Sequence, residues 1–273
     1  MSAREFPTKV VRGVTLRADP PRERAFQVVQ LDADMHEYSG MGAQSQRERL
    51  HRHMGNELGS LDIAAQCLAD YPNAPWELRL ELARQAWDES RHVMALYRKL
   101  RKLGGRKGEF PIANFEWSVT CSLASLPARL AVQNRTFEAG QLDLLGALPR
   151  HWREAGDEDA AETLEAILND EVHHVRFANR WLKEFVRQEP KTLLDIVTAL
   201  QFLSTANEAV SAKEGEINAV GTQLGTPASR TIEVNVECRR AAEFSEDEIR
   251  LAIRKAGMGS ILPAAAEVCA CDN

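Results

Sequence analysis

The sequence predicts an all-α fold: a four-helix bundle with an N-terminal extension and extra C-terminal helices. Three observations predict it. Four long stretches repeat apolar residues at steps of three and four, the third of them less cleanly, as an amphipathic helix on a core does. Two of these stretches carry Glu-x-x-His, as DESRH at 88–92 and DEVHH at 170–174, in phase with the apolar stripe. A further Glu precedes each motif at a matching distance. Glu57 lies 32 residues before Glu89 and Glu138 lies 33 before Glu171, as two helical hairpins built to one plan would place them.

Residues 1–43 form the extension, with strand-like KVVRGVTL and FQVVQL separated by the turn-prone ADPPRER. From residue 44 the period becomes helical, through Leu50, Met54, Glu57, Leu61, Ala64 and Leu68, until YPNAP stops it. A second helix opens at Pro75, a good first-turn residue. It carries Leu78, Leu82, Gln85, Glu89, His92 and Leu96 on one stripe and ends at Gly104–Gly105. A third helix is expected over about 115–140, kinked or restarted at Pro127, with a short helix near 142–155. The fourth begins after Asp157 as N-cap and runs to about 188. Its stripe is Leu164, Ile167 or Leu168, Glu171, His174, Ala178, Leu182 and Phe185. The bundle thus spans 44–189. A C-terminal helical extension over 190–257 packs on it, interrupted by a Gly/Thr/Ser-bearing loop around 220–231. The capping-box pattern SEDE opens the last helix, and residues 258–273 are a loose tail.

Composition bounds the function. With 273 residues and 44% hydrophobic content, the chain can bury a sizeable core. A net charge of −6 argues against wholesale nucleic-acid binding. Five widely spaced cysteines suggest no disulfide framework. No N-terminal apolar h-region and no long uncharged apolar run are seen, so the expectation is a soluble, cytoplasmic protein with no membrane partner.

Residues three apart on a helix share a face, so Glu-x-x-His aims a carboxylate and an imidazole at one point. A lone copy is a weak signal and usually a surface pair. Two copies in phase with apolar stripes face the core, where an ionised Glu must be paired or bound to metal. With Glu57 and Glu138 from the other two helices, the inward set is Glu57, Glu89, His92, Glu138, Glu171 and His174. Four carboxylates offset two divalent ions, and oxygen plus imidazole ligation suits iron or manganese. One Glu from each of two helices with Glu-x-x-His from each of the others is the di-metal carboxylate pattern. The alternative is a buried salt-bridge network without metal. Asp88 and Asp170 each precede a motif Glu by one residue. They are placed to accept the outer N–H of the opposite imidazole, Asp170 from His92 and Asp88 from His174.

WDESRH resembles the D-E-x-R-H motif of di-iron oxygenases and ribonucleotide-reductase-like bundles. RLAVQNRTFEAGQLD, AILNDEVHHVRFANRW and NVECRRAAEFSEDE together resemble a ferritin-like family known as a domain of unknown function, related to the ferritin-like tRNA hydroxylases. The resemblance covers roughly 45–250. It implies a ferritin-like fold and the same six ligands. His173 departs from the pattern, as do the segment around 203–225 and the Cys-bearing tail.

The reading that follows is an O2-activating non-haem di-iron oxidoreductase that hydroxylates, N-oxygenates or desaturates a small organic substrate. Its cofactors are two iron ions, or a mixed Mn/Fe pair. Its partners are O2, the substrate and an electron donor such as a reductase or ferredoxin, and it acts as a monomer or homodimer. Ferroxidase or iron handling uses the same ligands and stays open. So do an RNA-modifying hydroxylase and a non-catalytic metal-binding bundle. The RNA reading rests on six basic residues within 98–107, which read better as cations at a helix C-terminus. Trp87 and Trp181 are expected to pack in the core or at an interface. His51, His53 and His151 are expected to face solvent or to be satisfied core histidines.

Overall fold

The computed structural model describes residues 6–211 and 233–257. The fold is all-α, with only four short strands among the described residues. Strands β1 (Thr8–Val11) and β2 (Val14–Arg17) form an antiparallel hairpin whose register pairs Val11 with Val14. Its two-residue turn, Arg12–Gly13, takes positive φ at both positions, the conformation that matches strand twist. Val11 and Leu16 are buried from the hairpin into the main core, and the Trp117 indole N–H donates to Ala18 O at 3.0 Å. FQVVQL yields only β3 (Val28–Val29), parallel to β4 (Ile112–Ala113).

Helix α1 (Ala43–Asp70) and helix α2 (Trp76–Lys102) form the first hairpin. On α1 the buried line runs Leu50, Met54, Glu57, Ser60, Ile63, Ala64 and Cys67, while Leu61 and Leu68 are only half-buried. The stripe drifts because a straight helix has 3.6 residues per turn and a strict alternation of four and three does not. On α2 every residue of the expected stripe is buried. Pro75 sits at the N-cap, so the helix starts at Trp76, one place later than expected. Gly104 stops the helix at φ +77°, where a side chain would be strained. Trp87 does not pack in the core: it is 66% exposed on the outer face of α2.

The region expected as one kinked helix over 115–140 and a short one over 142–155 is divided differently. Helix α3 (Phe115–Thr120) ends in a turn. Helix α4 (Leu126–Val132) starts with Ser125 as N-cap, its Oγ accepting the Ala128 N–H at 3.3 Å, and with Pro127 in its first turn. A π-helical turn (Gln133–Glu138) then leads without a break into α5 (Ala139–Glu154). Proline in a first turn starts a helix and does not kink it, because its missing N–H would be unpaired there anyway.

Helix α6 (Glu158–Gln188) pairs with α5 as the second hairpin and packs across α2. Asp157 caps it, accepting the Ala160 N–H at 2.8 Å. Helix α7 (Thr192–Ser211) lies on α4. Helix α8 (Val236–Ala241) packs on α5 and α6, and α9 (Glu246–Gly257) packs on α8. The anchor is Arg239, which donates to Asp143 at 2.6 and 3.0 Å with both side chains buried. Ser245 and Glu248 form the expected capping box at 2.8 and 3.3 Å. The loop around 220–231, the CAC sequence and the tail at 258–273 lie outside the described residues.

Four of the six cations of the basic run meet neighbours. Lys99 and Lys102 pair with Asp159, Lys107 pairs with Glu23, and the Arg101 guanidinium donates to Gly105 O at 3.1 Å. The run holds the α2 C-terminus to the start of α6 and to the N-terminal segment. Cys67, Cys121 and Cys238 are free thiols. No helix among the described residues is long and apolar enough to cross a membrane.

Candidate metal centre

Four helical segments bring all six candidate ligands to one buried place. Glu57 comes from α1, Glu89 and His92 from α2, Glu138 from the last position of the π-helical turn, and Glu171 and His174 from α6. Glu89 and His174 are 0% exposed and the other four are 2% exposed. Two sets of four donor atoms each lie within 4.8 Å of one another: Glu57, Glu89, His92 and Glu171, and Glu89, Glu138, Glu171 and His174. Glu89 and Glu171 belong to both sets, as carboxylates that bridge a pair of ions would.

Both imidazoles point Nδ1 into the cluster. His92 Nδ1 lies 3.1 Å from Glu89, 3.2 Å from Glu57 and 3.6 Å from Glu171. His174 Nδ1 lies 3.4 Å from Glu89 and 3.6 Å from Glu171. The outer nitrogens meet the two aspartates. His92 Nε2 stands 3.1 Å from Asp170 and His174 Nε2 stands 3.3 Å from Asp88. The crossed pairing expected from spacing is the one the helices make.

The electrostatics are those of a cation site. Burial disfavours charge on His92, but the Glu57 and Glu89 carboxylates more than offset it and raise its pKa to about 12. His174 is raised against the same burial by Asp88 and Glu171. Glu89 is pushed well above the usual carboxylate range by burial, then by the charges of Glu171 and Glu57. Glu138 is pushed up to about 8 by burial first and Glu171 second. Glu57 is the exception. Burial would raise it, yet His53 and His92 beside it hold it well below the usual range. Protons thus neutralise the excess negative charge that two divalent ions would neutralise.

Hydrogen bonding leaves gaps where ions would bind. His174 Nδ1 and Glu57 Oε1 are buried without a directed hydrogen-bond partner. Buried polar atoms are rarely left so. The donor set and the shared carboxylates fit a buried metal site, with Glu57 and His92 on one side and Glu138 and His174 on the other.

Several residues at the site have no counterpart in the sequence reading. The π-helical turn stacks Gln133, Asn134 and Glu138 toward the cluster. Asn134 donates to Glu138 at 2.8 Å and to Gln85 Oε1 at 3.1 Å, and Gln85 in turn donates to Glu138. The poor apolar period of the expected third helix was the trace of this turn, since one extra residue shifts the stripe. His53 is neither a solvent nor a core histidine. Its Nε2 comes within 2.7 Å of Glu57 Oε1, close enough for attraction though not aligned as a hydrogen bond. His51 is a core histidine, accepting the Gly108 N–H at 2.9 Å. Glu116 is half-buried, but its carboxyl group is turned inward. Burial foremost and then the Glu57 charge push it up to about 8. His173 bonds Glu81 at 2.9 Å and stays outside the cluster.

Comparison with known proteins places residues 3–250 within a family described as "Protein of unknown function (DUF455)". A Haemophilus influenzae protein described as an uncharacterized protein is 31% identical over 99 residues, 36% of this chain. The match spans 34% of that relative, about a third of its length. No solved structure matches the chain.

Proposed function

This chain belongs to the DUF455 family, and on that premise we propose that it is an O2-activating non-haem di-iron oxidoreductase on a ferritin-like bundle, acting on a small organic substrate. The observation that carries the reading is the sharing of Glu89 and Glu171 between two four-donor sets that each hold one imidazole. A single-ion site needs no such sharing.

Ferrous ions held there would supply the electrons that reduce O2, with a reductase or ferredoxin returning them. The chain's residues do the rest. Asp170 and Asp88 hold the imidazole Nε2 protons, so each Nδ1 lone pair faces inward. Glu57 and Glu138 would each hold one ion, and Glu89 and Glu171 would be shared between the two. Gln85 and Asn134 fix the Glu138 carboxylate, and burial of all six ligands excludes bulk water. The same donors accept a mixed Mn/Fe pair.

Anaerobic loading with Fe(II), elemental analysis and then O2 exposure test the reading. About two ions per chain and O2 uptake that couples to oxidation of an organic compound are expected. Iron deposition far beyond that ratio would assign the chain to iron handling, and absence of a bound pair would remove the metal reading altogether.

A further inference from the structure

Arg91 stands where the two halves of the site meet on their outer side. One terminal nitrogen, Nη2, donates to Asp88 Oδ1 on its own helix and to Asp170 Oδ2 across the bundle at 2.8 Å. The same Asp170 oxygen lies 3.1 Å from His92 Nε2, and the other oxygen of Asp88 lies 3.3 Å from His174 Nε2. The five side chains form one line: His174, Asp88, Arg91, Asp170, His92. Its two ends are the imidazoles whose inner nitrogens face the candidate metal positions.

Two like-charged carboxylates from different helices are brought together here and need a cation between them. Arg84 approaches Asp88 alone, at 3.4 Å, so among the ion pairs of the described residues Arg91 is the cation that touches both. The second motif has His173 where the first has Arg91, and His173 turns aside to Glu81. A symmetrical pair of motifs would carry one arginine for each aspartate. In this chain one guanidinium nitrogen serves both, at a reach across the bundle that the shorter lysine side chain does not match.

We propose that Arg91 is a positioning residue that sets both imidazoles at once and so ties the two metal positions together. It holds Asp88 and Asp170 in the orientation that receives the Nε2 protons, which leaves both Nδ1 atoms free to ligate. The consequence for metal rests on the di-metal reading above, while the imidazole consequence does not. The arginine side chain is 47% exposed, so a purely structural role there would be a surface ion pair of small effect.

The test uses full-length chain in two states. In metal-free protein, long-range imidazole 15N NMR reads the Nε2–H environment of His92 and His174. In loaded protein, Co(II) titration with visible absorption reads affinity and ligand field. Arg91→Gln should move the signals of both histidines and weaken Co(II) at both positions by about tenfold or more. Arg84→Gln should leave His92 unmoved. Arg91→Lys should fold, keep the charge and restore at most one of the two imidazoles, which keeps the test decisive if Arg91→Gln does not fold. If neither imidazole responds to Arg91→Gln, or one alone does, the proposal is overturned. If the wild-type chain takes up no Co(II) while both imidazoles respond, the di-metal reading falls and the role of Arg91 stands. Two Co(II) bound with wild-type affinity and spectrum in Arg91→Gln would do the reverse.

Discussion

Asp170, on α6, lies 3.1 Å from the outer nitrogen of His92, on α2, and so ties each imidazole's tautomer to a helix other than its own. The reciprocal contact, Asp88 to His174, spans 3.3 Å. Removing either aspartate's charge should weaken metal at one position. Asp170→Asn is expected to lower affinity about ten- to a hundredfold at the position that uses His92, and Asp88→Asn likewise at the position of His174. Competition titration with a chelating indicator measures both. Unchanged affinity in both variants would separate the aspartates from the metal site.

Metal uptake should rise with pH and release protons. Without metal, Glu138 keeps its proton up to about 8 and Glu89 is raised well above the usual carboxylate range, both chiefly by burial. A divalent ion must displace those protons, so affinity falls as pH is lowered. Calorimetry in buffers of different ionisation enthalpy gives the proton count. Uptake without proton release between pH 6 and 8 would contradict the charge state described above.

His51 should impose an acid limit on stability. Burial is the main cause of its depressed pKa, about 4 against the ordinary 6.5. The unfolded chain therefore binds this proton first as pH falls. The stability it contributes is complete above 6.5 and is lost progressively down to about 4, on the order of 3 kcal/mol in all. His51→Gln keeps an acceptor for the Gly108 N–H and should flatten that limb of a pH series of urea melts.

The α8 anchor should behave as a buried ion pair. Arg239→Met leaves Asp143 charged in the core and should cost about 3–5 kcal/mol. Adding Asp143→Asn removes the stranded charge while an amide oxygen still accepts the Asn235 N–H, now at 2.9 Å. The double variant should recover most of the loss, as a double-mutant cycle of chemical denaturation would show.

Gln85 should matter to the fold even without metal. It donates to Glu138 and accepts from Asn134 at 3.1 Å, all buried. Gln85→Leu should destabilise the metal-free chain by about 1–3 kcal/mol, since two buried polar groups lose a partner. Thermal melting measures it, and an unchanged midpoint would mean that those groups re-pair.

The helices that carry Glu-x-x-His were legible because their signals are local. Pro75, Gly104 and Asp157 mark their ends, and each apolar stripe carries its motif inward over the whole length. The 126–154 helix was not legible. Its π-helical turn breaks the 3.6 period on which the stripe argument rests, and so one continuous helix reads as two. Nothing local marked Glu116, because it acts on Glu57 through space, whereas His53 stands four residues before Glu57 on one helix and Arg91 belongs to the first motif.

By itself the sequence determined that the chain is helical, which residues are inward donors, and that Asp88 and Asp170 each stand one place before a motif Glu. All of these follow from periodicity and short spacings along a helix. Tertiary structure alone decided that the donors fall into two overlapping sets within 4.8 Å. It also decided that Gln85 and Asn134 fix Glu138, that Trp87 faces outward, and that one arginine spans both aspartates. The physical reason is that distances between helices depend on how their faces interlock, and a repeat along one chain segment carries no information about the depth or rotation at which another packs against it.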